Sequence, residues 1–403
     1  MKSIITNAYK LLFFIAIYTF SQDVKGATNM KLLFYGKADY ATDVTAIPNP
    51  SITGGFFQII WSEIEKADGQ YDWTALDSWI KPWKDAGKGV ALRIMWSTSG
   101  YWPQPYYKHP TPQWLWAKGA KYAYHDLSQT EVPLIWDPIY KQHAFRFLRA
   151  ISNKFKDEKS ILFFDVTPGA ETNPYRSGTL DAKDSTFASK FITCASSDNK
   201  TFTEDLWFQT IKEFIDSSRV SIPDFPLLVT LNSGNITGGR SQMSVNGDYC
   251  ASKGLYVGQN GLRGTTPVGN FEKWSHQTKV FYEMYEKSGN ASEGTLMEVM
   301  LAAQRNNTSF INVYPEDVRK GTIGNPEYDK VFEDALIYGN SVSILTNFQV
   351  VINNSEVVKT LFYDINGTVL GERYSQLKRG IYIQKVFYSN GTVKADKFYK
   401  LTN

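Results

Sequence analysis

Residues 161–176, ILFFDVTPGAETNPYR, decide how the chain is read. Ile161 to Phe164 and Val166 form an apolar run broken by one acid, Asp165, and the Thr-Pro-Gly-Ala-Glu-Thr-Asn-Pro that follows ends it in a sharp turn. A parallel strand covered by helices on both faces reads as such a near-continuous apolar run. If the strand belongs to a barrel, Glu171 stands just past its C-terminal end, where barrel enzymes keep their chemistry. Taken alone, Glu171 is equally well an ordinary polar loop residue, and the rest of the chain has to decide.

Upstream, residues 30–35 (MKLLFY), 55–61 (GFFQIIW) and 89–95 (GVALRIM) are strand-like, and Leu76, Trp79, Ile80 and Trp83 recur at helical spacing between the last two. Strand, amphipathic helix, strand is a βαβ unit and therefore implies a parallel sheet. Asp137-Pro138 opens a long helix through Phe155 that delivers the chain into the 161–176 strand. Downstream, a helical stretch at 206–215 precedes strands at 226–231 (PLLVTL), 254–257 (GLYV), 279–285 (KVFYEMY) and 310–314 (FINVY). Ser292-Glu293 is expected to cap a helix between the last two, and Asn325-Pro326 opens a final one. Eight strands with helices between most of them predict an α/β protein, a (β/α)8 TIM barrel over residues 28–342. A doubly wound sheet is the rival, but no glycine-rich phosphate fingerprint follows the first strand.

The pattern changes after Ser343. Residues 357–364 and 380–388 are strand-like and end in Asn366-Gly367 and Asn390-Gly391, a strong hairpin signal. Residues 345–403 therefore read as a small antiparallel β-sandwich module.

Composition narrows the class further. The 403 residues are 42% hydrophobic, as in ordinary globular proteins. A net charge of +3, from 43 basic and 40 acidic residues, gives no reason to expect nucleic acid or an anionic membrane as partner. Aromatic residues reach 15%, which suits a cleft that stacks flat ligand faces, sugars among them. Lys2 and Lys10, the apolar run 11–20 and the small residue Ser21 read as a signal peptide over residues 1–21. That run is too short to span a bilayer, and no later segment approaches the ~20 apolar residues a span needs, so no stable membrane insertion is expected. Cys194 and Cys250 are readable either as one disulfide or as two free thiols. His109, His125, His143 and His276 lack ligand spacing, so neither metal nor cofactor is expected. No Gly-x-Ser-x-Gly elbow is present.

Two resemblances add to this. Residues 361–367 (LFYDING), 380–383 (GIYI), Asn390-Gly391 and 397–400 (KFYK) resemble, in order to the chain end, the type IX secretion sorting domain of Bacteroidetes. That likeness implies a partner in the secretion machinery and a destination at the cell surface or in the medium. Residues 61–65 (WSEIE), 69–73 (GQYDW), Leu76-Asp77, 92–94 (LRI) and 111–115 (TPQWL) resemble the TIM-barrel glycoside hydrolases of the clan that holds the β-galactosidases. Residues 168–171 (PGAE) with Tyr175 also resemble the acid motif of β-amylases. The clan normally has Asn immediately before its acid/base Glu, and here that place is Ala170.

Hydrolysis of a glycosidic bond needs two carboxyl groups, one donating a proton to the leaving oxygen and the other attacking carbon or activating water. Glu171, ending the fourth strand, is the expected acid/base. Glu283, ending the seventh, is the expected nucleophile, with Glu286 and Glu298 as alternatives. The clan places its two glutamates at those strand ends, so the resemblance implies a retaining β-glycosidase acting on a poly- or oligosaccharide. Arg93 lies within an apolar strand, where an unpaired charge is costly, and is expected to pair with a catalytic carboxylate or in a structural ion pair. Asn232, Gln259 and Asn260 at strand ends are candidate sugar-hydroxyl ligands or turn formers. Trp61 and Trp96 are candidate stacking surfaces. The substitution at Ala170 motivates a second expectation, an inactive barrel that binds carbohydrate at a surface.

Overall fold

The computed structural model describes residues 30–36, 41–97, 109–126, 129–169, 172–174, 185–231, 243–322, 330–333, 357–364, 367–373, 376–378, 380–389 and 393–400. The chain divides into two compact units, one spanning Asn29–Leu336 and the other containing Ile337–Asn403.

In the first unit, β1 (Lys31–Gly36), β2 (Ile52–Ile60) and β3 (Gly89–Met95) are followed by an excursion. It carries the antiparallel pair β4 (Tyr122–His125) and β5 (Thr130–Pro133). The core then resumes with β6 (Ile161–Asp165), β7 (Leu227–Thr230), β8 (Tyr256–Leu262), β9 (Val280–Met284) and β10 (Phe310–Val313). β1, β2, β3 and β6 to β10 close into a parallel barrel in sequential order, with β1 paired to β10. This is the expected (β/α)8 arrangement, and every one of the eight predicted strands is present. Residues 279–285, readable also as helix, are a strand because both neighbours pair with them: Val257 with Val280 and Phe310 with Phe281.

Each strand presents alternate residues to the barrel axis. Leu33, Tyr35, Phe56, Ala91, Phe163, Leu228, Phe281 and Phe310 fill the interior as one apolar cluster, with Tyr256 packed against it. Phe163 centres it, meeting Phe56, Phe281 and Phe310 at ring distances of 6.0, 5.9 and 5.1 Å. β2 and β3 approach so closely at their starts that a Cβ on Gly54 would lie 2.4 Å from the Gly89 carbonyl oxygen, which is why glycine occupies position 54; a Cβ on Gly89 would instead meet the Leu162 side chain on β6 at 2.6 Å. The opposite faces of the strands meet the helices in a second, larger core.

The helix Pro138–Phe155 shows how sequence builds that outer layer. Asp137 caps it, accepting from the Ile139 and Tyr140 amides at 2.9 and 3.2 Å, and Pro138 sits in the first turn. Its apolar stripe buries Tyr140, Ala144, Phe147, Leu148, Ile151 and Phe155. Phe147 stacks on Trp61 at 5.6 Å and on Trp73 at 6.2 Å. Trp61 in turn donates to Glu65 at 2.7 Å, while Glu65 also accepts from the Gly69 amide at 2.8 Å and pairs with Arg146. Gly69 has φ +74°, so the turn needs glycine.

Two expectations are corrected here, and one open alternative, the state of the cysteines, is decided. Trp61 and Trp96 are 0% exposed. Both pack against Phe147, and Trp96 also against Phe214, so they are core and offer no open face to a ligand. The helix Leu296–Arg305 is capped by Thr295 rather than Ser292, because Thr295 and Glu298 form a reciprocal capping box. Cys194 and Cys250 are both free thiols, the latter buried in the helix layer.

In the second unit, β11 (Val357–Tyr363), β12 (Val369–Gly371), β13 (Gly380–Tyr388) and β14 (Val393–Lys400) form one antiparallel sheet in the order β12-β11-β13-β14. Both expected hairpins are present. In the first, the Gly367 amide donates to Asp364 at 3.1 Å and Gly367 takes φ +86°. Residues 1–21, read as a signal peptide, lie outside the described residues.

Candidate active site

The apolar filling of the barrel stops one inward position before the strand ends. Two residues beyond Phe56, Ala91, Phe163, Leu228, Phe281 and Phe310 stand Gln58, Arg93, Asp165, Thr230, Glu283 and Asn312. Period-two alternation turns these to the same interior face, so the C-terminal end of the barrel carries a polar layer. All six are buried.

Arg93 is the hub of that layer. Its Nε donates to Asp165 at 2.7 Å, Nη1 to Glu283 at 3.0 Å and Nη2 to Asn260 Oδ1 at 3.0 Å. Its guanidinium carbon also lies 4.7 Å from the Phe56 ring centre. Burial alone would lower the pKa of Arg93, but the adjacent Glu283 and Asp165 carboxylates raise it above its ordinary value, so it is a permanent cation. Asp165 accepts further from the Thr230 hydroxyl at 3.0 Å and from the Thr167 amide at 3.1 Å. The same Glu283 oxygen that meets Arg93 accepts from Asn312 Nδ2 at 3.1 Å. Glu283 is thus a buried carboxylate at the end of β9, oriented by two donors and compensated by a guanidinium it shares with Asp165.

The arrangement separates the expected site residues. Glu283, Arg93 and Asn260 are brought together. Gln259 is not: alternation puts it on the face opposite Asn260, at the register position of Tyr282, whose ring packs outward against Phe271. Of the alternatives to Glu283, Glu298 is engaged in its capping box and Glu286 accepts from Ser292 at 2.5 Å. Glu171, Ala170 and Asn232 lie outside the described residues. Sequence reading missed Asp165, Thr230 and Asn312. The signal for each was present, as a polar residue two positions beyond an interior apolar one in an otherwise apolar strand.

Two further groups border this layer. Tyr314 donates to the Tyr285 carbonyl at 3.1 Å, and burial, reinforced by the nearby Glu283 carboxylate, raises its hydroxyl pKa. Glu293, in the loop after β9, is 1% exposed, and its carboxyl finds no hydrogen-bond partner among the described residues. Burial pushes it up to about 8, with Glu286 and Asp317 adding to the rise; the Glu286 backbone amide and Arg263 oppose it without completing a hydrogen bond. Among the described residues no cluster of His, Cys, Asp and Glu could hold a metal ion.

Comparison with known proteins gives a partial match. Residues 53–224, less than half of the chain, match the family model described as glycoside hydrolase 42, beta-galactosidase. The matched stretch includes Arg93, Asp165 and Glu171 and ends before Glu283. The beta-galactosidase of the psychrophilic Marinomonas ef1 is similar over 78% of this chain and 60% of its own, at 11% identity and a TM-score of 0.45. That of Bacillus circulans sp. alkalophilus is similar over 70% and 43%, at 13% identity and a TM-score of 0.36. The chain thus spans less than two thirds of either of these structures. No curated protein matches the sequence. The family match over residues 53–224 lies on a closed eight-stranded parallel barrel.

Two tests follow. Arg93→Met leaves Asp165 and Glu283 buried without their cation and should cost about 3–5 kcal/mol in urea denaturation. Adding Asp165→Leu should recover part of that loss; no recovery would show that the ion pair is not what Arg93 contributes. For Glu293 the folded-state pKa lies above the unfolded one, so the native state holds the proton longer and stability falls as pH rises from about 4.5 to about 8. Thermal unfolding should show Tm declining through that window, and Glu293→Gln should flatten the decline. Equal slopes for the two proteins would contradict this account.

Proposed function

We propose that the protein is a glycoside hydrolase that cleaves β-glycosidic bonds of a poly- or oligosaccharide, with β-galactosides as the first substrates to try. The observation that carries the reading is the oriented, guanidinium-compensated Glu283 at the C-terminal end of β9, the end of the barrel where such chemistry is done. Glu283 is the nucleophile. A carboxylate held by Arg93 and Asn312 has a fixed direction of attack and needs no reorganisation as charge passes to the sugar. Glu171, which the sequence sets shortly after Asp165 beyond the end of β6, is the acid/base. Together they make the reaction retaining, which requires the two carboxyl groups to stand ~5–5.5 Å apart.

Ala170 favours a second reading, a barrel that binds carbohydrate without cleaving it, since the clan's Asn at that place is missing. Release of nitrophenol from aryl β-galactosides separates the two. The first reading expects turnover in the wild type and a loss of about a thousandfold or more in kcat for Glu283→Gln, with substrate binding retained. Binding without turnover in the wild type would favour the second; near-normal turnover of Glu283→Gln would refute its role.

We further propose that the protein is exported, on the strength of the 1–21 signal-like segment and the likeness of 361–400 to a secretion sorting domain. No helix among the described residues is long and apolar enough to cross a membrane. N-terminal sequencing of the protein from the medium or cell surface should start near Gln22. An intact residue 2–21 segment on protein confined to the cell interior would contradict export.

A further inference from the structure

We propose that Tyr285, held by Arg263, is a stacking platform for the substrate sugar ring that lies beside Glu283; this rests on the glycosidase reading above. Tyr285 follows Glu283 by two residues at the end of β9 and is 51% exposed, the most open tyrosine among the described residues. Its position is fixed from three sides. The Tyr285 amide donates to the Leu262 carbonyl at 3.0 Å, and its own carbonyl accepts from Tyr314, a residue whose environment includes Glu283. The Arg263 guanidinium lies 3.7 Å from the ring centre, a cation–π stack that covers one face. Gly261 stands beside the ring: a Cβ there would meet Tyr285 Cδ2 at 4.0 Å.

The stack defines what the ring does. An exposed tyrosine on a loop ordinarily samples several rotamers, and a ligand has to hold it still. Here the bonds to Leu262 and Tyr314 hold the Tyr285 backbone and the Arg263 guanidinium plane lies against the ring, so a ligand meets a ring with less freedom to lose. The open part of the ring is a flat apolar surface with a negative quadrupole face, which suits the partly positive C–H face of a pyranose. Tyr285 follows Glu283 by two residues, the spacing that keeps side chains of an extended chain on one face, so a ring seated on Tyr285 stands next to the carboxylate that attacks. Trp61 and Trp96, expected to supply such surfaces, are core, and Tyr285 takes over the role.

Steady-state hydrolysis of o-nitrophenyl β-D-galactoside, and calorimetric binding of galactose oligosaccharides, test the proposal in four proteins: wild type, Tyr285→Ala, Tyr285→Phe and Arg263→Met. Tyr285→Ala should raise KM and Kd about tenfold or more with a much smaller change in kcat. Tyr285→Phe, which keeps the ring, should stay within about twofold of wild type, and Arg263→Met should fall between them. Unchanged KM and Kd in Tyr285→Ala, or a Tyr285→Phe as weakened as Tyr285→Ala, would overturn the platform. If the wild type binds galactosides without cleaving them, the glycosidase reading fails while the Kd comparison still judges Tyr285. A wild type that neither binds nor cleaves them overturns both.

Discussion

A guanidinium buried at the end of a barrel has to be answered by negative charge or it does not stay folded. Arg93 meets that demand with two carboxylates from different strands, Asp165 on β6 and Glu283 on β9, and with the Asn260 amide on β8. These groups are far apart in sequence and meet only because the sheet closes. The apolar floor of Phe56, Phe163, Phe281 and Phe310 beneath them excludes water from one side and makes each of these hydrogen bonds matter more. Asp165 is tied to β7 through Thr230, and Glu283 to β10 through Asn312. One cation thus sets the orientation of acids on opposite sides of the barrel mouth. Asp165 is wholly enclosed and serves the cation, whereas Glu283 keeps a little of its surface open, and the proposed chemistry falls to it.

The barrel was legible because its strands are buried on both faces and therefore nearly free of polar residues, so the few polar ones stand out. Arg93 was found by that contrast, and Glu283 by its place in the seventh strand. Asp165 and Asn312 carry the same contrast and were passed over, since a lone polar residue at a strand end also reads as turn chemistry. Nothing in a one-dimensional pattern says that residues 93, 165, 260, 283 and 312 converge. Closure of the sheet decides that, through register: Arg93 lies opposite Asp165, and Glu283 lies between Asn260 and Asn312.

The family likeness over residues 61–73 marks architecture rather than chemistry. In the 61–73 segment Trp61 and Glu65 close a turn at Gly69, and Trp73 stacks on Phe147 of the neighbouring helix. A ring such as Phe147, in contact with Trp61, Trp73 and Trp96, contributes about 3–5 kcal/mol by its packing. Aromatic richness therefore misled where it was densest, because indoles at strand ends serve equally to seal helices onto the barrel. Tyr285, the ring proposed to meet the ligand, was not singled out, since neither its exposure nor the Arg263 stack is visible before the chain is folded.

Glu283 as the nucleophile of a retaining glycosidase is the claim on which the functional account turns. Incubation with a 2-deoxy-2-fluoro-β-galactosyl fluoride slows the second step of such a reaction and leaves the sugar on the attacking carboxylate. Peptide mass spectrometry should then find one fluorogalactosyl group per chain, on Glu283. A label on any other residue, or hydrolysis of β-galactosides by a protein that never becomes labelled, would contradict it.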